Sequence, residues 1–262
     1  MKARALTIAG SDTGGGAGIQ ADLKTFAAFG VYGLSAVTSV TVQDTLGFRG
    51  ALAVPPPVVA GQIESALSDI GADAVKTGML GSAAVITAAA AGLRKRRAGK
   101  LVVDPVLCAK NGSPLLEPRA INALIRELLP LALVVTPNAP EAERLAGVEV
   151  KNASGARRAA RAIRALGPAF VLVKGGHLDG PVCEDLLFDG RSFAALRSPR
   201  ADTRHTHGTG CTLSAAIAAG LALGLDVPAA VRRAKRYVTG AIRNAPCLGK
   251  GAGPLEHFWE GK

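Results

Sequence analysis

Aromatic side chains are scarce in this chain: seven Phe, two Tyr and one Trp among 262 residues. That leaves few stacking platforms of the kind single-stranded nucleic acids need. Acidic residues are outnumbered, 20 against 31 Lys and Arg, giving a net charge of +11, but the cations do not gather into one stripe. Arg94, Lys95, Arg96 and Arg97 close a predicted helix, where positive charge complements the helix dipole. Arg157, Arg158, Arg161 and Arg164 recur at helical spacing, as on a solvated face, and Arg232, Arg233, Lys235 and Arg236 fall in a third helix. Such a surplus suits attraction of small anions such as phosphates better than nucleic-acid recognition. The four cysteines, at 108, 183, 211 and 247, form no Cys-x-x-Cys pair and no metal-ligand spacing, so a reduced, cytoplasmic protein is expected. The longest uncharged apolar run, Cys211 to Leu225, is too short to cross a bilayer, and Ala5 to Ala9 is too short for a signal-peptide core. There is no low-complexity linker and no internal repeat, and residues 1–262 are expected to form one domain.

The apolar content, 48%, is enough for a sizeable core. Its distribution predicts strands over Ala3–Ala9, Leu34–Val42, Ala74–Lys76, Leu101–Val103, Leu133–Val135 and Phe170–Val173. Between and after them, helices are predicted over Ile19–Phe29, Val58–Ile70, Ser82–Arg97, Pro118–Leu129, Pro140–Ala146, Ser154–Leu166 and Pro228–Asn244. Pro55-Pro56-Pro57 is expected to block regular structure, and Asp189-Gly190 to turn a hairpin between Cys183–Phe188 and Ser192–Leu196. Alternation of helix and buried strand implies a three-layer α/β/α fold with a mostly parallel central sheet.

Ligands of such sheets bind beyond the carboxyl ends of the strands. Here those ends carry Asp104, Asn138, Glu141 and Lys174. The first strand runs into Gly10-Ser11-Asp12-Thr13 and a glycine cluster at 14, 15, 16 and 18, which fits neither G-x-G-x-x-G nor the P-loop pattern. It lets backbone approach a ligand closely, or serves only as a turn. A second glycine turn, Gly208-Thr209-Gly210-Cys211, precedes an apolar helix. The free amides and dipole of a helix start attract phosphate there, although glycines at a plain loop-to-helix junction would read the same way. Carboxylates such as Asp104 and Glu141 are hard donors suited to Mg²⁺. Asn138 and Glu141 also have the spacing of a capping box, and both roles are compatible.

With its ordered motifs LTIAGSD, GGAGIQADLKTF, KTGML, VDPV, TPNAPEAE, LVKGGH and THGTGCTLSAAIA, the chain resembles the ribokinase-like superfamily. Within it, the likeness is to the hydroxymethylpyrimidine/phosphomethylpyrimidine kinases of thiamine biosynthesis, and it covers nearly the whole chain. The resemblance implies a ribokinase-like fold, ATP and Mg²⁺ as cofactors, and a homodimer. It implies an anion hole at Gly208, Thr209 and Gly210, with Cys211 in the position of a base whose pKa a helix N-terminus would lower. Asn138, Lys174, Thr209 and Lys235 would contact the nucleotide, and Asp104 and Glu141 the metal. Gly10, Asp22, Val42, Gln43 and Met79 would bind the pyrimidine, and a glutamine amide meets an aminopyrimidine edge with a donor and an acceptor in one plane. The competing expectations are a pyridoxal kinase of the same superfamily and a non-catalytic pyrimidine-sensing protein. The intact metal and phosphate groups argue against the latter.

Overall fold

The computed structural model describes residues 2–108, 112, 115–117, 119–177 and 180–261. Strand β1 (Arg4–Ser11) pairs in parallel with β2 (Tyr32–Asp44) on one side and β4 (Ala74–Thr77) on the other, and β3 (Gly47–Ala53) returns antiparallel along β2. The parallel ladder continues through β5 (Leu101–Val103), β6 (Val134–Val135) and β7 (Phe170–Val173). An antiparallel hairpin, β8 (Val182–Phe188) and β9 (Phe193–Pro199), completes a nine-stranded sheet in the order β3-β2-β1-β4-β5-β6-β7-β8-β9.

Alternation along the strands sorts the core into two layers. Leu6, Ile8, Val75, Leu101, Val103, Val135, Val171 and Val173 face one side. They pack against α2 (Pro56–Asp69), α3 (Ala83–Lys95), α4 (Ala120–Ala123), α5 (Ala139–Ala146) and α6 (Ala153–Arg164). Ala5, Ala74, Val102, Val134 and Leu172 face the other, under α1 (Gly18–Ala28), α7 (Thr209–Ala222) and α8 (Val227–Arg243). Every residue of α7 from Thr212 to Leu221 is buried, which explains why its sequence is apolar all round.

Three local expectations need correction. The proline run does not block structure: Pro56 and Pro57 occupy the first turn of α2, where a missing N–H costs no helical bond. The helix expected to run without interruption to Leu129 is a short α turn followed by a π turn at Leu124–Leu128 and a 3₁₀ turn at Leu129–Leu131, since Pro130 cannot donate; its expected start at Pro118 lies outside the described residues. Strand β3 was not expected at all. It is set by an Asx turn in which Asp44 Oδ1 accepts from the amides of Leu46 and Gly47 at 2.9 and 3.2 Å.

Candidate active site

A cavity of about 980 Å³ opens at the carboxyl ends of the parallel strands. Among its lining residues, Gly208 caps the start of α7 in the left-handed region at φ 81°. A Cβ at Gly208 would overlap the Gly16 carbonyl, so only glycine lets the two glycine turns touch. A Cβ at Gly210 would lie 3.2 Å from Lys174 Nζ and 3.7 Å from Asp104 Oδ2. The bare helix start is thereby brought against the charged groups of β5 and β7. The Thr209 hydroxyl lines the cavity while donating to the Thr206 carbonyl at 2.8 Å.

Those groups form one network. Lys174 Nζ donates to Asp104 Oδ1 at 2.9 Å and stands 3.8 Å from Glu141 Oε2. Thr136 and Ser214 donate to the two oxygens of Asp104, each at 3.2 Å. Although burial opposes ionisation, Lys174 and Lys76 hold the Asp104 carboxyl below the usual range. Burial likewise opposes the charge of Lys174, and Asp104 and Glu141 override it to raise its pKa. The capping box is present: the Asn138 amide donates to Glu141 Oε2 at 2.7 Å and the Glu141 amide to Asn138 Oδ1 at 2.9 Å. Burial pushes the Glu141 carboxyl up to about 7 against the pull of Lys174, with Asp104 adding to the rise.

Cys211 differs from expectation. Its sulfur meets the Gly18 amide at the start of α1 and the charge of Lys76, but burial dominates and pushes the thiol up to about 11. Two helix starts do not lower it, so at neutral pH it is protonated. Lys76, which the sequence reading passed over as part of a short strand, lines the cavity while fully buried; its Nζ donates to both Asp22 oxygens at 2.9 and 2.8 Å. Lys76 is itself pushed up to about 12, the negative charge of Asp22 outweighing burial.

At the other end of the cavity lie Gly10, Gln43 and Met79. A Cβ at Gly10 would come within 2.7 Å of Ser39 Oγ and 3.3 Å of Met79 Sδ, so glycine makes room for the methionine. Phe48 lines the same end, set opposite Gln43 where the β2–β3 register shifts past Arg49. The sequence reading missed it together with its strand; the Asp44-to-Gly47 turn followed by Phe48, Gly50 and Leu52 at alternate positions was the available signal. Lys235 lines the cavity together with Val238 and Ile242, and donates to Asp185 Oδ2 at 2.8 Å.

Two expected contacts do not reach the cavity with their side chains. Asp22 is fully buried behind Lys76 and also accepts from the Thr7 hydroxyl at 2.6 Å. Val42 alternates with Thr41 and Gln43, and its side chain faces solvent, 61% exposed. Two more lining residues went unassigned, Asp12 and His207, joined at 2.9 Å.

Residues 12–256 match the family model described as phosphomethylpyrimidine kinase. The chain is 52% identical over 254 residues to the hydroxymethylpyrimidine/phosphomethylpyrimidine kinase of Streptomyces coelicolor, covering 97% of this chain and 94% of that one. It is 51% identical over 253 residues to the thiamine biosynthesis bifunctional protein of Geobacter sulfurreducens, but spans only about half of that relative, 52% of its length. Among solved structures, that of the pyridoxal kinase from Staphylococcus aureus in complex with AMP-PCP and pyridoxal has a TM-score of 0.93 at 38% identity, covering 100% of this chain and 96% of that one. The three-layer architecture is therefore the ribokinase-like one. Since the matched span runs from the first glycine turn through every charged strand exit to beyond the start of α7, the chain belongs to the phosphomethylpyrimidine kinase family.

Proposed function

We propose that this chain transfers the γ-phosphoryl group of ATP to the hydroxymethyl oxygen of 4-amino-5-hydroxymethyl-2-methylpyrimidine, and then to the phosphate of the resulting monophosphate, in cytoplasmic thiamine biosynthesis. The observation that carries this reading is the meeting, in one cavity, of a bare helix start, Lys174 and two carboxylates at one end with Gln43 and Met79 at the other. The first set suits a triphosphate, and the second suits a flat aminopyrimidine.

The amides of Gly208 to Cys211 take up charge on the transferring group, because they point at it before reaction and need no reorganisation. Lys174 and Thr209 contact nucleotide phosphates, Asn138 supports them, and Lys235 lies toward the base. Asp104 and Glu141 would hold Mg²⁺. Among the described residues no group of three or more His, Cys, Asp or Glu could hold a metal. Two carboxylates therefore fit an ion that arrives with the nucleotide rather than a resident one, as is usual for Mg²⁺. Bound there, the ion would neutralise phosphate charge. Burial favours the protonated form of Glu141, and only its ionised form would serve that ion.

A protonated Cys211 does not take the alcohol proton in advance. Phosphoryl transfer is largely dissociative, so that proton leaves late, and Cys211 acts by hydrogen-bonding the hydroxyl in line. On the pyrimidine side, Gln43 meets the amino group and ring nitrogen, and Met79 packs on the ring beside Gly10.

A second copy of the chain would cover the outer face of the β2–β3 hairpin. There Val40, Val42 and Leu52 stand 50%, 61% and 75% exposed, with Val40 paired to Leu52. Paired apolar residues of this size on a solvent face favour a homodimer.

The test is mass-spectrometric product analysis with the pyrimidine alcohol, ATP and Mg²⁺, run beside pyridoxal. Monophosphate followed by diphosphate is expected. A preference for pyridoxal would favour the second reading, a pyridoxal kinase, which the likeness to the Staphylococcus aureus enzyme keeps open. No transfer to either alcohol would return the chain to a binding role.

A further inference from the structure

The two glycine turns of the site come from distant parts of the sequence and meet backbone to backbone, Gly208 against Gly16. Asp12, 1% exposed, closes the first turn: its Oδ1 accepts from the Gly14 amide at 2.9 Å, and its Oδ2 from the amides of Gly16 and Ala17 at 3.0 and 2.7 Å. Despite burial, bonds from His207, Ala17 and Gly14 keep this carboxyl below its usual range, so it is ionised and only accepts. The 2.9 Å contact between His207 Nε2 and Asp12 Oδ2 therefore has the imidazole donating. His207 directly precedes Gly208, the first residue of the anion hole. Its amide donates to the Gly253 carbonyl at 3.1 Å, and a Cβ at Gly16 would come within 2.8 Å of its ring. The imidazole thus fills the seam between the turns, and its bond to Asp12 joins them beside the contact of the Cys211 sulfur with the Gly18 amide.

We propose that Asp12 and His207 are one positioning pair, which sets the amides of residues 208–211 at the distance from the acceptor end that phosphoryl transfer requires. The proposal rests on the kinase reading above. Neither residue touches the reacting atoms; the carboxylate holds the imidazole, and the imidazole holds the turn. A loss of this bond lets the helix start drift from the first turn while leaving the Lys174 network and Gln43 in place.

The experiment is a double-mutant cycle of Asp12→Asn and His207→Ala, with His207→Gln as the conservative variant that keeps a donor near the Nε2 position. Steady-state kinetics are measured with both the pyrimidine alcohol and pyridoxal, and ATP affinity by calorimetry. Expected for His207→Ala is a fall in kcat on the order of 100-fold, the size of a misplacement of about 1 Å, with KM and ATP affinity within about threefold. His207→Gln should recover at least tenfold of that loss, and the double variant should be no slower than the worse single one. Losses that multiply in the double variant, an effect confined to KM, or an unchanged kcat would each overturn the pairing. Should His207→Ala fail to fold, His207→Gln and Asp12→Asn decide by the same kcat-against-KM split. The wild-type arm judges the kinase reading by itself: if it phosphorylates neither alcohol, that reading falls and takes the pair with it.

Discussion

Cys211 lies where the starts of two helices face the same sulfur, an arrangement that ordinarily makes a thiol acidic, yet burial decides the balance and the thiol is pushed up to about 11. The expected consequence is low reactivity. With iodoacetamide at pH 7.5, Cys211 should be alkylated at least tenfold more slowly than Cys247, which is exposed; peptide mass spectrometry would read the ratio, and equal rates would restore the case for a base. Glu141 gives a second test. Its carboxyl sits at about 7 in the folded chain against the ordinary 4.5, so between those values the unfolded state loses its proton first. The native state then binds more protons, and stability falls as pH rises through that window. Glu141→Gln keeps an acceptor for the Asn138 amide and has nothing to titrate. Its melting temperature relative to the unaltered chain should therefore climb from pH 5 to pH 8, followed by calorimetry, while phosphoryl transfer falls by at least tenfold.

Among the elements, α7 and its entry turn are the most exacting. Gly208 combines φ 81° with a backbone neighbour that leaves no room for a Cβ, whereas Gly30 has φ 73° and nothing within 4 Å. Gly30→Ala should cost about 1–2 kcal/mol, the price of the left-handed backbone alone. Gly208→Ala should cost more than that and also lower kcat, since the two turns must part; urea unfolding and turnover on the pair of variants would separate strain from collision. The helices with clear boundaries were legible because their caps are written in the chain: Ser82 accepts from the Val85 amide, Asn138 and Glu141 form their box, and Asn152 accepts from Gly155. Strand β3 was not legible, because GFRGALA has two glycines and little β-branching, and is held by pairing to β2 rather than by its own preference. Phe48 was lost with it. The strand-exit residues Asp104, Glu141 and Lys174 were legible because parallel topology alone brings them together. Lys76 and Asp22 were not separable from sequence, since a buried ion pair between β4 and α1 depends on side-chain direction, which spacing does not carry.

For the whole molecule, several cations of the basic stretches are paired locally with carboxylates. Arg96 and Lys95 share Glu64, Arg94 pairs with Glu127, and Arg197 with Glu184. These surface pairs contribute little to stability. The proposed dimer face is apolar instead, and Leu52→Glu should give a monomer by light scattering with melting temperature changed by only a few degrees; a dimer that persists would move the interface elsewhere. The segment at 251–254 ties the molecule's ends together: Ala252 donates to the Thr45 carbonyl at 2.8 Å, the Gly253 amide to His205 Nδ1 at 3.1 Å, and the Gly253 carbonyl accepts from His207. Because a chain leaves the ribosome from its first residues onward, β1 and its glycine turn are available long before this segment emerges. The nascent protein can build its sheet early, yet it acquires the finished seat proposed for phosphate only after almost all of these residues have been translated.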